Sequence, residues 1–241
     1  MACKLLINEV GLMETKVTLM PLPKVLLHAA TSSPTDLRVR YGLGDATVLL
    51  AFGFVHADKG LDDLVKAVKI LRDTQPNLLE NVRVVVAGEV RPRQGLFRAF
   101  EARDRLYFAR TLRLARRNAV ERHLLLTGYV PDGEVAGWFE SAGAVVLPYR
   151  SVDQSGVAWL ARSLNVPVLS SMAGGLSEQC PYSRWTFPPR APDRIACAIA
   201  DFLRTASTDR SGLRKQEATN DTATTSIFDF YGELASGSIR C

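Results

Sequence analysis

The middle of the chain alternates between short apolar runs and amphipathic stretches. Apolar runs cover residues 47–52, 82–87, 124–127, 144–147 and 166–170, and a shorter one covers 185–187. Each is too short for a core helix and long enough for a strand buried on both faces. Between the first two runs, Leu61, Leu64, Val65, Val68 and Leu71 recur at helical spacing, which predicts a helix over 60–72. Further helices are predicted over 95–118, 131–141, 156–164 and 192–203. Pro131 suits the first turn of its helix. Ahead of this regular pattern, residues 25–27 read as a strand. Residues 32–36 read as a turn, with Thr35 or Asp36 capping a short helix through Tyr41 that Gly42 and Gly44 stop. Residues 206–226 are rich in Ser, Thr, Asp and Asn and read as a linker or flexible tail, with 227–231 as a short docking helix. No internal repeat is visible.

Strands alternating with helices predict an α/β fold, a doubly wound parallel sheet of Rossmann-like type. The domain reading is an N-terminal segment at 1–46, a Rossmann-like domain at 47–204 and a tail at 205–241. Ligands of such sheets sit at the carboxyl ends of the strands. Gly53, Gly88 and Gly128 all fall there. Each alone reads as a strand-to-loop turn; three together favour close approach of a ligand to bare backbone.

The composition is that of an ordinary globular protein: 241 residues, 47% hydrophobic and 23% charged. The net charge of +5 is unevenly placed. Arg91, Arg93, Arg98, Arg103, Arg105, Arg110, Arg113, Arg116, Arg117 and Arg122 crowd one stretch. The plain reading is a long solvated helix with Glu101, Asp104 and Glu121 as partial partners; the sharper one is a phosphate or membrane-surface role. Cysteines at 3, 180, 197 and 241 and histidines at 28, 56 and 123 match neither a zinc site nor a disulfide framework. No metal is expected. No run of eighteen apolar residues occurs, and the N-terminus lacks a signal-peptide pattern. The expectation is a cytoplasmic protein that does not bind nucleic acid, with peripheral association at the inner face of a membrane compatible with the charge.

Three loops carry chemistry. In the first, Gly53 ends a strand, and Lys59-Gly60 opens a helix whose free N–H groups attract anions. The loop matches neither the P-loop spacing nor GxGxxG. In the second, Gln154, Ser155, Gly156 and Val157 lead into a helix, with Ser155 as its N-cap and a plausible diphosphate cradle behind it. In the third, Gly174-Gly175 follows a strand, with Glu178 just beyond.

These loops, in this order, resemble the C-terminal, donor-binding domain of retaining GT-B glycosyltransferases of the group 1, family 4 type. That family includes sucrose synthases and many transferases of surface polysaccharides. The matching segments are Gly53 to Gly60, Gly128-Tyr129-Val130-Pro131, Leu147-Pro148-Tyr149, Gln154 to Val157, Pro167-Val168 and Gly174 to Glu178. The resemblance implies a nucleotide-diphosphate sugar as donor substrate, with no cofactor. Lys59 would contact the diphosphate, and Gly128, Tyr129 and Val130 would flank the base. Ser155, Gly156 and Val157 would hold phosphate through backbone N–H groups, with Gln154 beside them, and Gly53 and Gly88 would line the site. No catalytic residue is assigned.

The chain departs from the family pattern in places. Phe54 stands where an arginine often follows the first glycine, and Val152 and Leu160 replace the paired glutamates of many members. Forty-six residues ahead of the first strand are too few for an acceptor domain. The expectation is therefore a donor half whose acceptor domain is supplied elsewhere, for example by a partner chain. The alternative is a non-catalytic nucleotide-sugar-binding or interaction protein.

Overall fold

The computed structural model describes residues 31–180 and 183–208, with isolated positions 8, 10, 11 and 13. The strand predicted at 25–27 and the docking helix at 227–231 lie outside the described residues.

The elements in chain order are α1 (Pro34–Arg40), β1 (Thr47–Phe52), α2 (Leu61–Thr74), β2 (Val82–Ala87), α3 (Arg98–Arg117), β3 (Leu124–Gly128), α4 (Asp132–Ser141), β4 (Ala144–Leu147), α5 (Gly156–Ser163), β5 (Val168–Ser171), α6 (Leu176–Gln179), β6 (Thr186–Phe187) and α7 (Pro192–Thr208). The six strands form one parallel sheet in the order β3-β2-β1-β4-β5-β6. This is the doubly wound order, in which the chain builds outward from β1, returns, and builds outward again from β4.

Strand residues alternate between two cores, as a period of two requires. Leu49, Val84, Val86, Val146 and Leu169 face a layer containing α2, α3 and α7. Val48, Leu50, Val85, Val145 and Val168 face α1, α4, α5 and α6. Both faces of β1, β2, β4 and β5 are largely buried, which is why these strands read as apolar runs, while Leu126 of the edge strand β3 is exposed.

The differences from the sequence reading have local causes. The cap of α1 is Ser33, not Thr35 or Asp36. Its hydroxyl accepts from the Asp36 N–H at 3.1 Å, and the Ser33 N–H donates to the Asp36 carboxylate at 3.0 Å. Asp36 is the far member of a capping box. The helix docks on α4: Leu37 is fully buried, and Arg38 donates to the Ser141 carbonyl at 2.9 Å. Ser33→Ala is expected to lower stability by about 1 kcal/mol, read from a urea denaturation midpoint.

The helix expected over 95–118 begins as a 3₁₀ turn, Gly95–Phe97, before α3 proper. β5 starts at Val168 rather than 166, because the end of α5 uses the intervening residues. Asn165 takes φ 54°, and the Val166 N–H returns to the Ala161 carbonyl at 2.8 Å. α7 runs on to Thr208, past the predicted end at 203 and into the first residues read as linker. Thr205 and Ser207 bond back to the carbonyls of Asp201 and Arg204, so polar residues stay helical there.

Candidate functional site

The switch point of the sheet lies between β1 and β4, and the loops that leave these two strands meet above it. Gly60 ends the first loop at φ 65°. A Cβ at Gly60 would sit 2.0 Å from the Pro148 carbonyl oxygen, so the two loops touch backbone to backbone. The Arg150 N–H donates to the Asp58 carbonyl at 2.7 Å. The Arg150 guanidinium closes the joint, with Nε on Asp63 at 2.8 Å and Nη2 on both Asp62 oxygens at 2.8 and 2.7 Å. Tyr107 of α3 donates to Asp62 at 2.7 Å. Asp62 is held below the usual carboxylate range: its partial burial opposes ionisation, and the Tyr107 and Arg150 hydrogen bonds outweigh it. Arg150→Met would leave the nearly buried Asp63 facing Lys66 alone. The expected loss is about 2 kcal/mol, read as an earlier thermal midpoint.

Lys59 sits just inside this joint. Its Nζ donates to the Tyr149 hydroxyl at 2.5 Å and lies 3.9 Å from the centre of that ring. Burial lowers its pKa from 10.5 to about 8. The same burial pushes the Tyr149 hydroxyl upward, so it stays protonated. His56 is held below the usual imidazole range by burial and then by Lys59, so it adds no charge near neutral pH.

Ser155 caps α5, its hydroxyl accepting from the Ala158 N–H at 3.2 Å. The Ser155 N–H is not free, because the Gln179 side-chain oxygen takes it at 2.7 Å. Gln179 also donates to the Ser155 carbonyl at 3.2 Å. Among the described residues, no hydrogen bond engages the N–H groups of Gly156 or Val157. Both point from a helix N-terminus whose dipole favours anions. Gly156 has open space where a Cβ would be. Gly53, at φ 96°, faces this helix end: a Cβ there would lie 3.7 Å from the Val157 side chain.

The other residues singled out in the sequence divide. Gly88 is packed against Gly53, whose carbonyl oxygen would be 2.2 Å from a Cβ at Gly88. Its lack of a side chain is used up within the protein. Gly128 has open space, and Tyr129 is 60% exposed, two strands away from β1 at the end of β3. Val130 is buried in the second core, its side chain turned from the surface. Gln154 is exposed beside the cap of α5. Gly174 and Gly175 lie under the carbonyls of Val152 and Asp153, so the third loop supports the second from below.

Four residues that the sequence reading does not assign to donor binding belong to this region: Tyr149, Arg150, Gln179 and Arg91. The guanidinium of Arg91 lies 5.5 Å from the ring of Phe54, the residue that stands where the family often has arginine. The linear pattern shows Tyr149 in a matching segment and Arg91 in the arginine-rich stretch but not what any of the four contacts, because each partner lies on another strand's loop. Arg162, a charge in a helix that is usually apolar, donates to the Gln179 carbonyl at 2.7 Å and ties α5 to α6. Leu160 is buried, and Val152 packs against the same core. Among the described residues, no group of three or more His, Cys, Asp or Glu residues is placed to hold a metal ion. No helix among them is long and apolar enough to cross a membrane.

Comparison with known proteins agrees with this geometry. D-inositol 3-phosphate glycosyltransferase of Streptomyces avermitilis is 29% identical over 202 residues, covering 80% of this chain and 41% of that protein. GDP-mannose-dependent alpha-(1-6)-phosphatidylinositol monomannoside mannosyltransferase of Mycobacterium tuberculosis is 25% identical over 177 residues, covering 70% and 41%. The chain thus spans 41% of the length of these curated relatives. Among solved structures, Anabaena Alr3699/HepE in complex with UDP superimposes with a TM-score of 0.73 at 14% identity, over 95% of this chain and 59% of that one. The C-terminal domain of the group 1 glycosyl transferase LpcC from Francisella tularensis gives 0.62 at 16% identity, over 86% of this chain and the whole of that domain. The likeness to both is one of fold. The family model for glycosyl transferases group 1 matches residues 46–205, and the chain belongs to that family.

Proposed function

We propose that this chain is the donor-binding domain of a glycosyltransferase and that it holds a nucleotide-diphosphate sugar at the switch point between β1 and β4. The observation that carries the reading is the meeting of Gly53 with the N-terminus of α5. Bare backbone stands on one side and two unengaged N–H groups on the other, with Lys59 alongside. That combination suits a diphosphate.

In this reading the N–H groups of Gly156 and Val157 bind the phosphate, while Ser155 acts through its cap and its bonds to Gln179. Lys59 leaves Tyr149 to meet the diphosphate. Arg91 supplies the guanidinium that Phe54 does not. Tyr129 and the open Gly128 flank the base, with Val130 beneath them as support. Gly88 keeps the Gly53 loop in place, and Gln154 lies at the rim. Helix N-terminus and cations together stabilise the diphosphate as it leaves, so the reading needs neither metal nor cofactor. Transfer itself requires an acceptor-binding region beside this domain, and the curated relatives are longer than this chain. Arg91 and Lys59 at the cleft favour donor binding, and no observation favours the interaction-protein alternative.

Isothermal titration with UDP-glucose and GDP-mannose, and with NAD as control, tests the reading. One nucleotide sugar is expected to bind and NAD to give no heat. Gly156→Val, which fills the open space at the helix end, is expected to abolish that binding without changing the thermal midpoint by more than a few degrees. Absence of binding by both sugars and by free UDP and GDP overturns the proposal.

A further inference from the structure

Seven of the ten arginines of the arginine-rich stretch lie on α3, and the proposed site uses none of these seven; it takes only Arg91, which precedes the helix. Residues 91–122 carry ten arginines, no lysine and three acids; the rest of the chain carries twenty basic and twenty-two acidic residues. The positive balance of the whole protein is therefore confined to this element. The two acids of α3 face inward or are engaged. Asp104 is buried, and Glu101 accepts from Arg105 and from the Arg93 N–H. All seven arginines of α3 itself are exposed. Among the described residues, no ion pair engages Arg98, Arg110, Arg113, Arg116 or Arg117. The inner face is already used, with Thr111 and Ala115 buried and Tyr107 and Phe108 packed on the first core.

Apolar groups lie among these charges. Ala99, Ala102 and Ala109 are exposed along the helix. Phe97, Phe100 and Leu106 are 62%, 45% and 48% exposed, with the two phenylalanine rings 6.4 Å apart. The face is about 30 Å long, from twenty residues at 1.5 Å each.

We propose that this face of α3 docks on an anionic lipid bilayer. Guanidinium groups pair in bidentate fashion with phosphate and are weakly hydrated, so they sit at a headgroup layer more readily than lysines do. Their aliphatic stems lie along the surface. Leu106, among the arginines near the middle of the helix, and Phe97 and Phe100 at its start enter the acyl boundary. The exposed apolar side chains beside the arginines match the acyl boundary of a bilayer, whereas a nucleic-acid backbone offers them no partner. The arginines of α3 are not among the groups assigned to the nucleotide, so the inference does not rest on the proposed function.

The full chain is floated with vesicles of pure phosphatidylcholine and with vesicles containing phosphatidylglycerol, at low and at physiological salt. Binding is expected only to the phosphatidylglycerol vesicles and to weaken with salt. Arg113→Glu with Arg117→Glu is expected to reduce binding at least tenfold. The control pair on α7, Arg194→Glu with Arg204→Glu, makes the same change in net charge and is expected to lower binding less than threefold. Phe100→Ser with Leu106→Gln is expected to make the remaining binding more salt-sensitive. Thermal midpoints of all variants verify folding, since every altered residue is exposed. Equal binding to both vesicle types, equal losses in the face and control pairs, or tighter binding to an oligonucleotide than to anionic vesicles at the same salt overturns the proposal.

Discussion

Gly60→Ala is expected to destabilise the protein by about 4 kcal/mol and to lower its thermal midpoint by roughly 10 °C. Two effects add. The residue occupies φ 65°, where an added Cβ is strained, and that Cβ would be 2.0 Å from the Pro148 carbonyl oxygen and 3.1 Å from its carbon. The obstacle is backbone, so no rotamer change relieves it. Moving Pro148 away would stretch the Arg150 N–H bond to Asp58 and separate Tyr149 from Lys59. Gly95 is the matched control: its φ is 60°, and nothing lies within 4 Å of where its Cβ would be. Gly95→Ala is expected to cost only about 1 kcal/mol, the strain without the clash. Equal midpoints for the two variants would show that the loops at the switch point are not held in contact. Nucleotide binding by Gly60→Ala should fall as well, because the same joint positions Lys59.

Lys59→Met is expected to weaken nucleotide-sugar binding at least tenfold at pH 7 while leaving the fold intact or slightly more stable. The amine is pushed to about 8 by burial against an ordinary 10.5. Between those values the unfolded chain binds more protons than the folded one, so stability rises with pH across that window. Below pH 8 the charged, buried ammonium costs the fold its full penalty. Methionine removes that penalty, so any gain in stability is largest at and below neutral pH and vanishes above about pH 10.5. Binding runs in the opposite direction. A diphosphate favours the ammonium form, so wild-type affinity falls as pH rises through about 8, and proton uptake accompanies binding just above that pH. Titration in buffers of different ionisation enthalpy measures the uptake. Lys59→Met should show none and should have a flat affinity profile over the same range. A wild-type affinity that does not change between pH 7 and 9 would remove Lys59 from the site.

These two residues differ in how visible they were beforehand. Lys59 stands out in sequence because a lysine before the glycine that opens a helix is an anion-binding pattern. What the pattern does not contain is Tyr149, ninety positions away, which holds the amine when no anion is present. Gly60 reads in sequence only as a helix start; its carbonyl neighbour comes from β4's loop. Gly88 reads in sequence as a ligand-facing glycine, and in the fold its missing Cβ makes room for Gly53. Val130 reads in sequence as flanking the base, and in the fold its side chain lies in the core. In each case the residue type was informative, and the partner, which decides the role, came from another loop.

The short-range rules of the chain account for the rest. The apolar runs at 47–52, 82–87 (interrupted only by Arg83) and 144–147 became strands with those bounds, because burial on both faces demands nearly continuous apolar sequence. Helical spacing determined α2, α3 and α5 to within a few residues, and the glycine-ended strands marked the end of the sheet where ligands bind. By itself, then, the sequence determined the doubly wound class and the end of the sheet that carries the proposed site. Only the tertiary structure decided the strand order, the pairing of Arg150 with Asp62 and Asp63, the hold of Gln179 on Ser155 and the outward turn of the α3 arginines. The physical reason is range. Periodicity and capping act within a turn or a strand, whereas these contacts join loops that are neighbours only after the sheet has brought the carboxyl ends of its strands together.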